Sequence, residues 1–580
     1  MEELKITKDR FISKDTKTID KINEQLMIII CQPDHDIFDK VMEFYYKLNK
    51  TDFYFIFIPC ETYGIINFLN GPGIGHRYTV TNFNIDLIPI DNDLISMEKT
   101  GNFKEIYVDK NITPISDFVE SFIKLEMTFG KIKHKYIKGE KAKLFNDLLE
   151  KKESETNLKI TDEILGMIVL DRSIDFLTPF TSNYTYEGLF DDHFGINKGS
   201  TIFENTYLNI NENKKESKKN VMYYLTTDYA SKLFNEIRCM NYLDANKYMY
   251  ELQDYYKNET ERLNSKDLSK VQKVMEKLKE YATFYKNPII INRKFMTKFI
   301  DENHKEENMI YRTKESIFLS GTVPNNLKLF YDDYIADKKD LYNLLNLFIL
   351  ETLTQGCVKD YNILKRDILN VYGYQNIFLF RDLETIGLIK EKADAIGLIK
   401  ERVNLKNKME LNYQQIVSKL NLISPDANDK NSKYKDCSYI YQGYCPIILR
   451  LIELAVQGKW GKNKEVITKM SGETLFPEDE SEIIKPPKND KSVHTIFVVF
   501  VGGVSYNEIA GIRFINRQLK LMYDKIKDKD KNATRVQLII VTNEILNKKK
   551  IFKSLGEEFK QKCSFKEWNK ELEKDDKKKK

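Results

Sequence analysis

The strongest constraint on the fold of this 580-residue chain is that its strand-forming runs lie in two distant regions. An apolar run from Ile164 to Leu170, broken only by Gly166, predicts a buried strand, and Val221 to Leu225 predicts another. Two strands cannot form a stable sheet alone. Further strands are predicted about 270 residues later, at Thr495 to Val501 and Val536 to Val541. We therefore expect the two regions to complete one sheet.

The sequence between these regions is predominantly helical. Residues 271–285 carry apolar side chains at the i, i+3, i+4, i+7 spacing, and residues 341–353 are apolar enough for a buried helix. A short segment, residues 386–391, is repeated at residues 396–401. Because only two copies occur, this is a local duplication and not a solenoid. The helical region therefore reads as an insertion into the sheet domain.

The first part of the chain alternates strands and helices. Apolar or aromatic runs at Leu26 to Ile30 and Phe53 to Ile58 flank a helical stretch from Asp36 to Leu48, and Thr113-Pro114 begins another helix. The predicted fold is α/β with parallel sheets and a large α-helical insertion. The expected divisions are an α/β domain 1 (1–150), a first part of an α/β domain 2 (160–255), a mostly helical domain 3 (256–489) and a second part of domain 2 (490–580).

Composition excludes several classes of protein. Lysine and arginine number 92 against 87 acidic residues, a near balance that does not point to nucleic acid. Seven cysteines occur without a C-x-x-C pair, which argues against a disulfide framework or a zinc site and suits a reducing cytosol. No run reaches the ~18 apolar residues that a membrane span needs, so we expect only peripheral membrane association. The glycine-rich stretch at residues 71–76 is interpreted as a plain turn, and Lys577 to Lys580 as a solvated tail.

A polar motif follows the first predicted strand. It reads D-R-S-I-D-F-L-T-P from Asp171 to Pro179, and T-Y-E-G-L follows at residues 185–189. Ligands often bind at this end of a strand, but the chain has no P-loop and no G-x-S-x-G elbow. Because buried charges must be paired, we interpret Asp171, Arg172 and Asp175 as a buried ion-pair cluster, with Thr178 and Pro179 starting the next segment. Neither catalytic nor metal-binding residues nor a cofactor are predicted.

A second motif lies in the C-terminal region. Residues 500–510 read F-V-G-G-V-S-Y-N-E-I-A, and Arg513 follows. Gly502 and Gly503 predict a turn after a strand, and Ser505 with Glu508 three residues later predicts a capping box at the start of a helix. The buried stripe of this helix is predicted to comprise Ile509, Ile512, Ile515, Leu519 and Met522.

Together, the two motifs resemble the most recognisable blocks of the SM (Sec/Munc) proteins, which regulate SNARE-mediated membrane fusion. In the second block, Ser505 replaces the usual threonine. Residues 86–98, 383–390 and 439–450 resemble the vacuolar-sorting branch of that family, number thirty-three of the class C vacuolar proteins. The resemblance spans nearly the whole chain and is weakest around residues 205–220 and 462–492. It implies the three-domain SM-type arch and a non-enzymatic function.

The resemblance also implies partners and a working surface. SM proteins bind SNARE proteins, here of the Qa and R types, through a helical hairpin of the insert. The tip of that hairpin is expected around residues 320–324. The candidate contact residues are Ile317, Phe318, Leu319, Val323 and Leu327; ordinary helix core is the alternative for these side chains.

The vacuolar-sorting branch is, by resemblance, the SNARE-binding subunit of the HOPS and CORVET tethering complexes. It docks on a class C subunit with an α-solenoid, and acts in the cytoplasm, peripherally on endosome, lysosome or vacuole membranes through its partners. Tyr441, Tyr444 and Ile447 are the candidate contacts with that subunit, since a spacing of three places them on one helical face. Pro446 argues against a continuous helix there, so core and interface remain open.

An α/β enzyme is the alternative from another functional class. Such an enzyme would bind a nucleotide or ester substrate where the strand order of a sheet reverses. Its best residues would be Asp171, Asp175, His193 and Glu508. His193 lies in a polar stretch where a surface or capping role is the simpler interpretation.

Overall fold

The structure is a computed structural model. It describes residues 26–31, 35–47, 51–58, 60–71, 77–156, 158–159, 164–197, 199–204, 220–225, 231–261, 268–391, 410–424, 436–477, 493–527 and 534–556. The chain divides into two compact units, residues 1–88 and 89–580. Three features from the sequence lie outside the described residues: most of the turn at 71–76, the second copy of the repeat and the terminal lysines.

The first unit contains a three-stranded parallel sheet in the order β1-β2-β3. Its strands are β1 (Leu26–Cys31), β2 (Asp52–Phe57) and β3 (Tyr78–Asn82), and its helices are α1 (His35–Lys47) and α2 (Tyr63–Leu69). Alternate side chains of β2 point into an aromatic core with Phe38 of α1. The predicted parallel β-α-β arrangement is confirmed.

The second unit is built around a seven-stranded sheet in the order β10-β6-β7-β11-β13-β5-β4. Five adjacent strands, from β6 to β5, run parallel, and β10 is antiparallel to β6. The sheet thus joins strands from both ends of the chain, as strand counting predicted. The strands are β4 (Ile88–Asp91), β5 (Leu94–Ser96), β6 (His134–Lys138), β7 (Ile164–Asp171), β10 (Thr474–Leu475), β11 (Val493–Val501) and β13 (Arg535–Thr542).

The interior strand β7 is buried at every position, as expected for a parallel strand covered on both faces. Gly166 interrupts its apolar run for a steric reason. A Cβ atom at this position would lie 2.9 Å from the carbonyl oxygen of His134 on the neighbouring strand. Only glycine fits there without a shift of the backbone.

Two features of the sheet differ from the sequence prediction. Strands β5 and β6 precede residue 150, yet they pair with β13 and β7 of this sheet. The strand predicted at Val221 to Leu225 does not join this sheet. It forms β9 (Asn220–Tyr224) and pairs antiparallel with β8 (Ser200–Glu204). Strand β8, which is close in sequence, satisfies the backbone hydrogen bonds of β9. The apolar pattern of a strand does not reveal which segment it pairs with.

The helical insertion is confirmed, and none of the described helices is long and apolar enough to cross a membrane. Around the sheet lie α3 (Asn102–Tyr107), α4 (Thr113–Phe129), α5 (Glu140–Glu155), α6 (Tyr186–Phe194) and α7 (Ser231–Ile237). The insertion comprises α8 (Tyr242–Glu261), α9 (Leu268–Phe284), α10 (Lys286–Asn303), α11 (Glu306–Leu319), α12 (Leu327–Ala336), α13 (Leu341–Gln355), α14 (Tyr361–Tyr372), α15 (Ile377–Ile386), α16 (Tyr413–Leu420), α17 (Ile447–Val456) and α18 (Lys464–Lys469). The C-terminal region adds β12 (Val504–Ser505), α19 (Tyr506–Lys527), β14 (Ile545–Leu546) and α20 (Lys548–Ser554). Of the predicted stripe of α19, Ile509, Ile512 and Ile515 are buried, whereas Met522 is 59% exposed.

Candidate functional site

Asp171 ends strand β7 and is a buried capping residue. Its carboxylate accepts hydrogen bonds from the backbone N–H of Ser173 (2.9 Å) and of Lys141 (2.9 Å), and from the hydroxyl of Tyr107 (2.7 Å). Burial, and then the Asp171 charge, raise the pKa of Tyr107 well above its usual value, so this hydroxyl remains a donor. Gly139 leaves the space that the carboxylate needs, since a Cβ there would lie 2.2 Å from Cβ of Asp171.

Arg172 is fully buried and pairs with a residue from the other end of the chain. Its Nη1 donates to Oε2 of Glu508 at 2.6 Å, and its Nη2 donates to the carbonyl of Asp175. We expected Asp171 to be the charge partner of Arg172, and this is corrected: the ion pair is with Glu508. Burial opposes the charge, but Glu508 raises the pKa of Arg172 above its usual value.

The remaining polar groups of the two motifs are also held by local hydrogen bonds. Asp175 accepts from the backbone N–H (3.0 Å) and the hydroxyl (2.7 Å) of Thr178, which fixes the 3₁₀ turn through Pro179. Ser505 and Glu508 form the predicted capping box: the N–H of Ser505 donates to Oε2 of Glu508 (2.9 Å), and the N–H of Glu508 donates to Oγ of Ser505 (3.3 Å). The cluster is thus arranged to hold a turn and a helix start.

The residues of the alternative enzyme hypothesis are only partly brought together. Glu508 and Asp175 both contact Arg172, whereas Asp171 accepts from two backbone N–H groups and from the Tyr107 hydroxyl. His193 instead stacks on Phe299, with ring centroids 4.8 Å apart, and burial lowers the pKa of His193 to about 4. Within the described part of the chain, no hydrogen bond or ion pair joins His193 to the three carboxylates. These four residues therefore do not place a general base beside a nucleophile.

Arg513 forms a second buried charge cluster. Its guanidinium donates to Asp93 (2.9 Å), to Asp91 (3.0 Å) and to Glu187 (2.7 Å), and Arg238 also pairs with Asp91. Although burial opposes it, Arg238 and Arg513 hold the pKa of Asp91 below its usual value. Three stretches that resembled the SM family separately therefore meet at one arginine. Their separation in the sequence gives no sign of this contact.

A small cavity lies beside the Arg513 cluster. Its volume is about 10 Å³, and Leu94, Phe234 and Tyr506 are among the residues that line it. This volume accommodates roughly a single water molecule. The cavity has no room for a nucleotide or an ester substrate.

The predicted hairpin tip is a turn between α11 and α12. The N–H of Gly321 donates to the carbonyl of Phe318 (2.8 Å), and Gly321 adopts a φ of 81°, which glycine tolerates best. From α16, Gln414 donates to the carbonyl of Gly321 (2.7 Å) and Tyr413 to that of Leu319 (2.9 Å). The turn is therefore held from one side by a third helix.

The five predicted contact residues differ in their exposure. Phe318 and Leu327 are buried, Ile317 and Leu319 are half-buried, and Val323 is 39% exposed. The expectation of an apolar, accessible tip therefore applies fully only to Val323. Phe318 belongs to the core because its side chain points inward from the last turn of α11.

A buried glutamate that sequence reasoning missed connects the hairpin to the first motif. Glu315 of α11 accepts from the N–H (2.6 Å) and from the hydroxyl (2.7 Å) of Ser182. Asn346 of α13 donates to the carbonyl of Phe180 at 2.7 Å. The segment after Pro179 thus anchors two helices of the insertion. The sequence signal for this buried contact was that Glu315 lies on the same helical face as Tyr311 and Phe318.

The segment predicted to contact a partner subunit is buried in this structure. Tyr441, Tyr444 and Ile447 are all nearly inaccessible, and the hydroxyl of Tyr441 donates to the carbonyl of Asn507 at 2.7 Å. The three residues do not share one helix: Cys437–Tyr441 is a 3₁₀ turn, and α17 begins after Pro446. Of the two interpretations left open, the structure places these side chains in the core.

Asp436, Cys437 and Cys445 bring three potential metal ligands within 4.8 Å of one another. The carboxylate of Asp436 is already paired with Arg450 at 2.9 Å. Burial raises the pKa of both thiols, which disfavours the thiolate form that binds metals. The cluster is therefore poorly suited to a cation.

Known proteins are similar to this chain over most of its length. A model described as the Sec1 family matches residues 1–554. The vacuolar protein sorting-associated protein 33A of Rattus norvegicus is 26% identical over 518 residues, covering 85% of this chain and 82% of its own. The vacuolar protein-sorting-associated protein 33 homolog of Arabidopsis thaliana is 24% identical, covering 86% of this chain and 81% of its own.

Solved structures share the fold. The Unc18–syntaxin 1 complex from Monosiga brevicollis matches with a TM-score of 0.53 at 12% identity, covering 93% of this chain and 89% of that chain. The SM protein Vps45 in complex with the Qa SNARE Tlg2 matches with a TM-score of 0.52 at 14% identity, covering 94% and 89%. The fold predicted from the sequence is therefore the fold of solved SM proteins.

Proposed function

Because this chain belongs to the Sec1 family, we propose that it binds SNARE proteins and assists their assembly in vesicle docking and membrane fusion. The match of the family model over residues 1–554 carries the proposal. Two solved relatives are complexes with a SNARE or a syntaxin, which supports the same partner class. The proposed SNAREs are of the Qa and R types.

The proposed mechanism is templating. SNARE motifs are disordered heptad segments, and ordering them before they zipper costs conformational entropy. A preformed helical surface lowers that cost because part of the ordering occurs on binding. The turn at residues 320–324 is a suitable site, since α16 holds its backbone while Val323 stays accessible.

The contact between Glu315 and Ser182 gives this surface a rigid base. Both partners are buried, so the hairpin helix α11 is tied to the segment that follows the first motif. A template must hold its binding residues in a fixed arrangement to reduce the entropy cost of its partner. The polar motif near residue 171 therefore has a positioning role in the proposed function and no catalytic one.

The proposed cellular setting follows the vacuolar-sorting relatives. We place the protein in the cytoplasm and peripherally on endosome, lysosome or vacuole membranes, through partners, as a subunit of HOPS- or CORVET-type tethering complexes. The proposed docking partner is a class C subunit with an α-solenoid. Since Tyr441, Tyr444 and Ile447 are buried, their role would be to support a neighbouring surface.

A binding experiment tests the proposal directly. Isolated vacuolar and endosomal Qa- and R-SNARE motifs are titrated into the full chain, and binding is followed by calorimetry. Saturable binding is expected, and its absence for all of these motifs contradicts the proposal. A thermal-shift series with nucleotides and metal ions tests the enzyme alternative, because a ligand that binds the native state raises the melting temperature.

A further inference from the structure

Two buried cysteine side chains meet just before α17. The sulfur of Cys437 lies 2.7 Å from the sulfur of Cys445, and both residues are fully buried. Both are free thiols in this structure. The structure describes four other cysteines, which are half-buried or exposed: Cys31, Cys60, Cys239 and Cys357. Contact and burial together therefore set this pair apart.

The backbone between the two cysteines reverses its direction. The 3₁₀ turn Cys437–Tyr441 is followed by Gln442 and Gly443, which adopt positive φ angles of 55° and 107°. The N–H of Gly443 donates to the carbonyl of Ser438 at 2.9 Å, which closes the turn. This reversal brings the second cysteine back beside the first.

The segment from Cys437 to Cys445 also supports the end of α16. The N–H of Cys445 donates to the carbonyl of Leu422 at 2.7 Å, and the N–H of Ser424 donates to the carbonyl of Gly443 at 2.9 Å. Helix α16 in turn holds the hairpin turn at residues 320–324. A bond between the two sulfurs would therefore close a loop beneath this support.

The two sulfurs need little movement to form such a bond. The S–S distance of a disulfide is about 2.05 Å, so an approach of less than about 1 Å is enough. Folding already holds the two thiols side by side, so their reaction with each other needs no further search by the chain. A disulfide then stabilises the folded state because it restricts the unfolded chain.

We propose that Cys437 and Cys445 form an intrachain disulfide in response to a hydroperoxide, and that this bond fixes the segment that supports α16. The dithiol form is the expected resting state in reducing surroundings. The site is separate from residues 317–327, and the proposal does not depend on SNARE binding. A cation fits less well, because Asp436, the third group beside the sulfurs, is paired with Arg450.

The reaction balances with hydrogen peroxide as the oxidant. The thiolate of one cysteine attacks a peroxide oxygen; an S–O bond forms, the O–O bond breaks, and the leaving hydroxide takes up the proton of that thiol. The other sulfur then attacks the sulfenic sulfur; the S–S bond forms, the S–O bond breaks, and the second thiol proton leaves in water. Two thiols lose two electrons, and one peroxide is reduced to two water molecules. Burial raises the pKa of both thiols, so the reaction should be slow.

Mass spectrometry of the oxidised full chain tests the proposal. Trypsin cleaves after Lys435 and Arg450, so one peptide, residues 436–450, contains both cysteines and no methionine. The protein is incubated with hydrogen peroxide, denatured in N-ethylmaleimide and digested without reductant. In most molecules this peptide is expected to be two hydrogens lighter than its dithiol form and to carry no maleimide. Dithiothreitol before the maleimide step should restore two maleimide adducts.

The melting temperature of the oxidised protein gives a second measurement. Dithiothreitol should lower it by at least about 2 °C in the wild type, because the disulfide is broken. Cys437→Ala should abolish both this difference and the lighter peptide. Cys357→Ala, at a half-buried cysteine outside the pair, should keep both. Each protein is compared with itself before and after dithiothreitol, so a basal loss of stability in a variant does not affect the result.

Several results overturn the proposal. Both cysteines recovered as maleimide adducts after oxidation show that no disulfide forms, and added oxygens in place of lost hydrogens show that the sulfurs do not react with each other. A lighter peptide that forms only in urea-unfolded protein removes the role of the fold. A disulfide from either cysteine to a third one contradicts the pairing. A melting temperature that dithiothreitol leaves unchanged in the disulfide-bonded wild type contradicts the fixing of the segment.

Discussion

Arg172 and Glu508 form a fully buried ion pair, with Nη1 and Oε2 2.6 Å apart, although 336 residues separate them in the sequence. The pair joins the first motif, after β7, to the start of α19. Its two residues belong to the two chain regions that together build the sheet. A contact that closes the domain across its insertion therefore joins the two sequence motifs.

Breaking this ion pair should strongly destabilise the protein. Glu508→Gln leaves the Arg172 guanidinium buried without a carboxylate, which typically costs on the order of 3–5 kcal/mol. Thermal unfolding should show a large fall in melting temperature. The double variant Arg172→Met with Glu508→Leu should recover part of the loss, because no buried charge remains unpaired. A single variant that melts like wild type contradicts this account.

Asp171→Asn should lower stability without abolishing a reaction. The Asp171 carboxylate accepts three hydrogen bonds through its two oxygens. Asparagine replaces one of these oxygens by an amide nitrogen, which cannot accept, so the free energy of unfolding should fall by about 1–3 kcal/mol. Urea unfolding measures the change, with the exposed Asp524→Asn as a neutral control. Robust hydrolysis by the wild type that vanishes in Asp171→Asn at unchanged stability would point to the enzyme alternative.

A fragment of residues 1–255 should aggregate. It contains β7, at residues 164–171, but lacks β11, which pairs with β7 in parallel. The freed strand edge exposes backbone donors and acceptors and a fully apolar surface. Size-exclusion chromatography and thermal unfolding of the fragment, next to the full chain, provide the measurement. A monomeric fragment with a cooperative transition would show that residues 493–556 are dispensable for this fold.

The stability contribution of Glu351 should fall as pH rises. Burial raises the pKa of Glu351 to about 7, with the Tyr331 hydroxyl donating to its Oε2 at 3.0 Å. A folded pKa above the unfolded value contributes stability that is full below the unfolded pKa, near 4.5, and is lost as pH rises through about 7. Glu351→Gln mimics the protonated form and should flatten the fall in melting temperature between pH 5 and 8. The corresponding change in the free energy of unfolding is up to about 3 kcal/mol. The exposed Glu465→Gln should keep the wild-type slope; equal slopes in all three proteins would refute the assignment.

Val323→Asp should weaken SNARE binding without unfolding the chain. Its side chain is partly exposed at the hairpin turn, so a charge there disrupts an apolar contact but not the core; a loss of about tenfold in affinity is expected. Leu329→Asp, at a residue 63% exposed on α12, is the matched control and should bind normally. Phe318→Asp, in the core, should unfold the protein instead. Normal SNARE binding by a folded Val323→Asp would remove the hairpin turn from the mechanism.

The sequence by itself determined the elements whose signals are local. The apolar run of β7, broken only by Gly166, indicated a buried strand, and Ser505 with Glu508 indicated a capping box that is present at the start of α19. Counting strands also showed that the sheet had to be completed from the far end of the chain. These features depend on residues close in sequence, or on the requirement that each strand of a sheet pairs with other strands.

Tertiary structure alone decided which side chains meet. Asp171 stands next to Arg172 in sequence, yet the charge partner is Glu508, and Arg513 gathers Asp91, Asp93 and Glu187 from two other motifs. The spacing of Tyr441, Tyr444 and Ile447 suggested one helical face and left core and interface open. The structure has a 3₁₀ turn and Pro446 in this segment, and all three side chains lie in the core. Apolar pattern reports that a residue is buried or on one face of an element. It does not report what covers that face, because the covering residues come from distant segments that only the folded chain brings together.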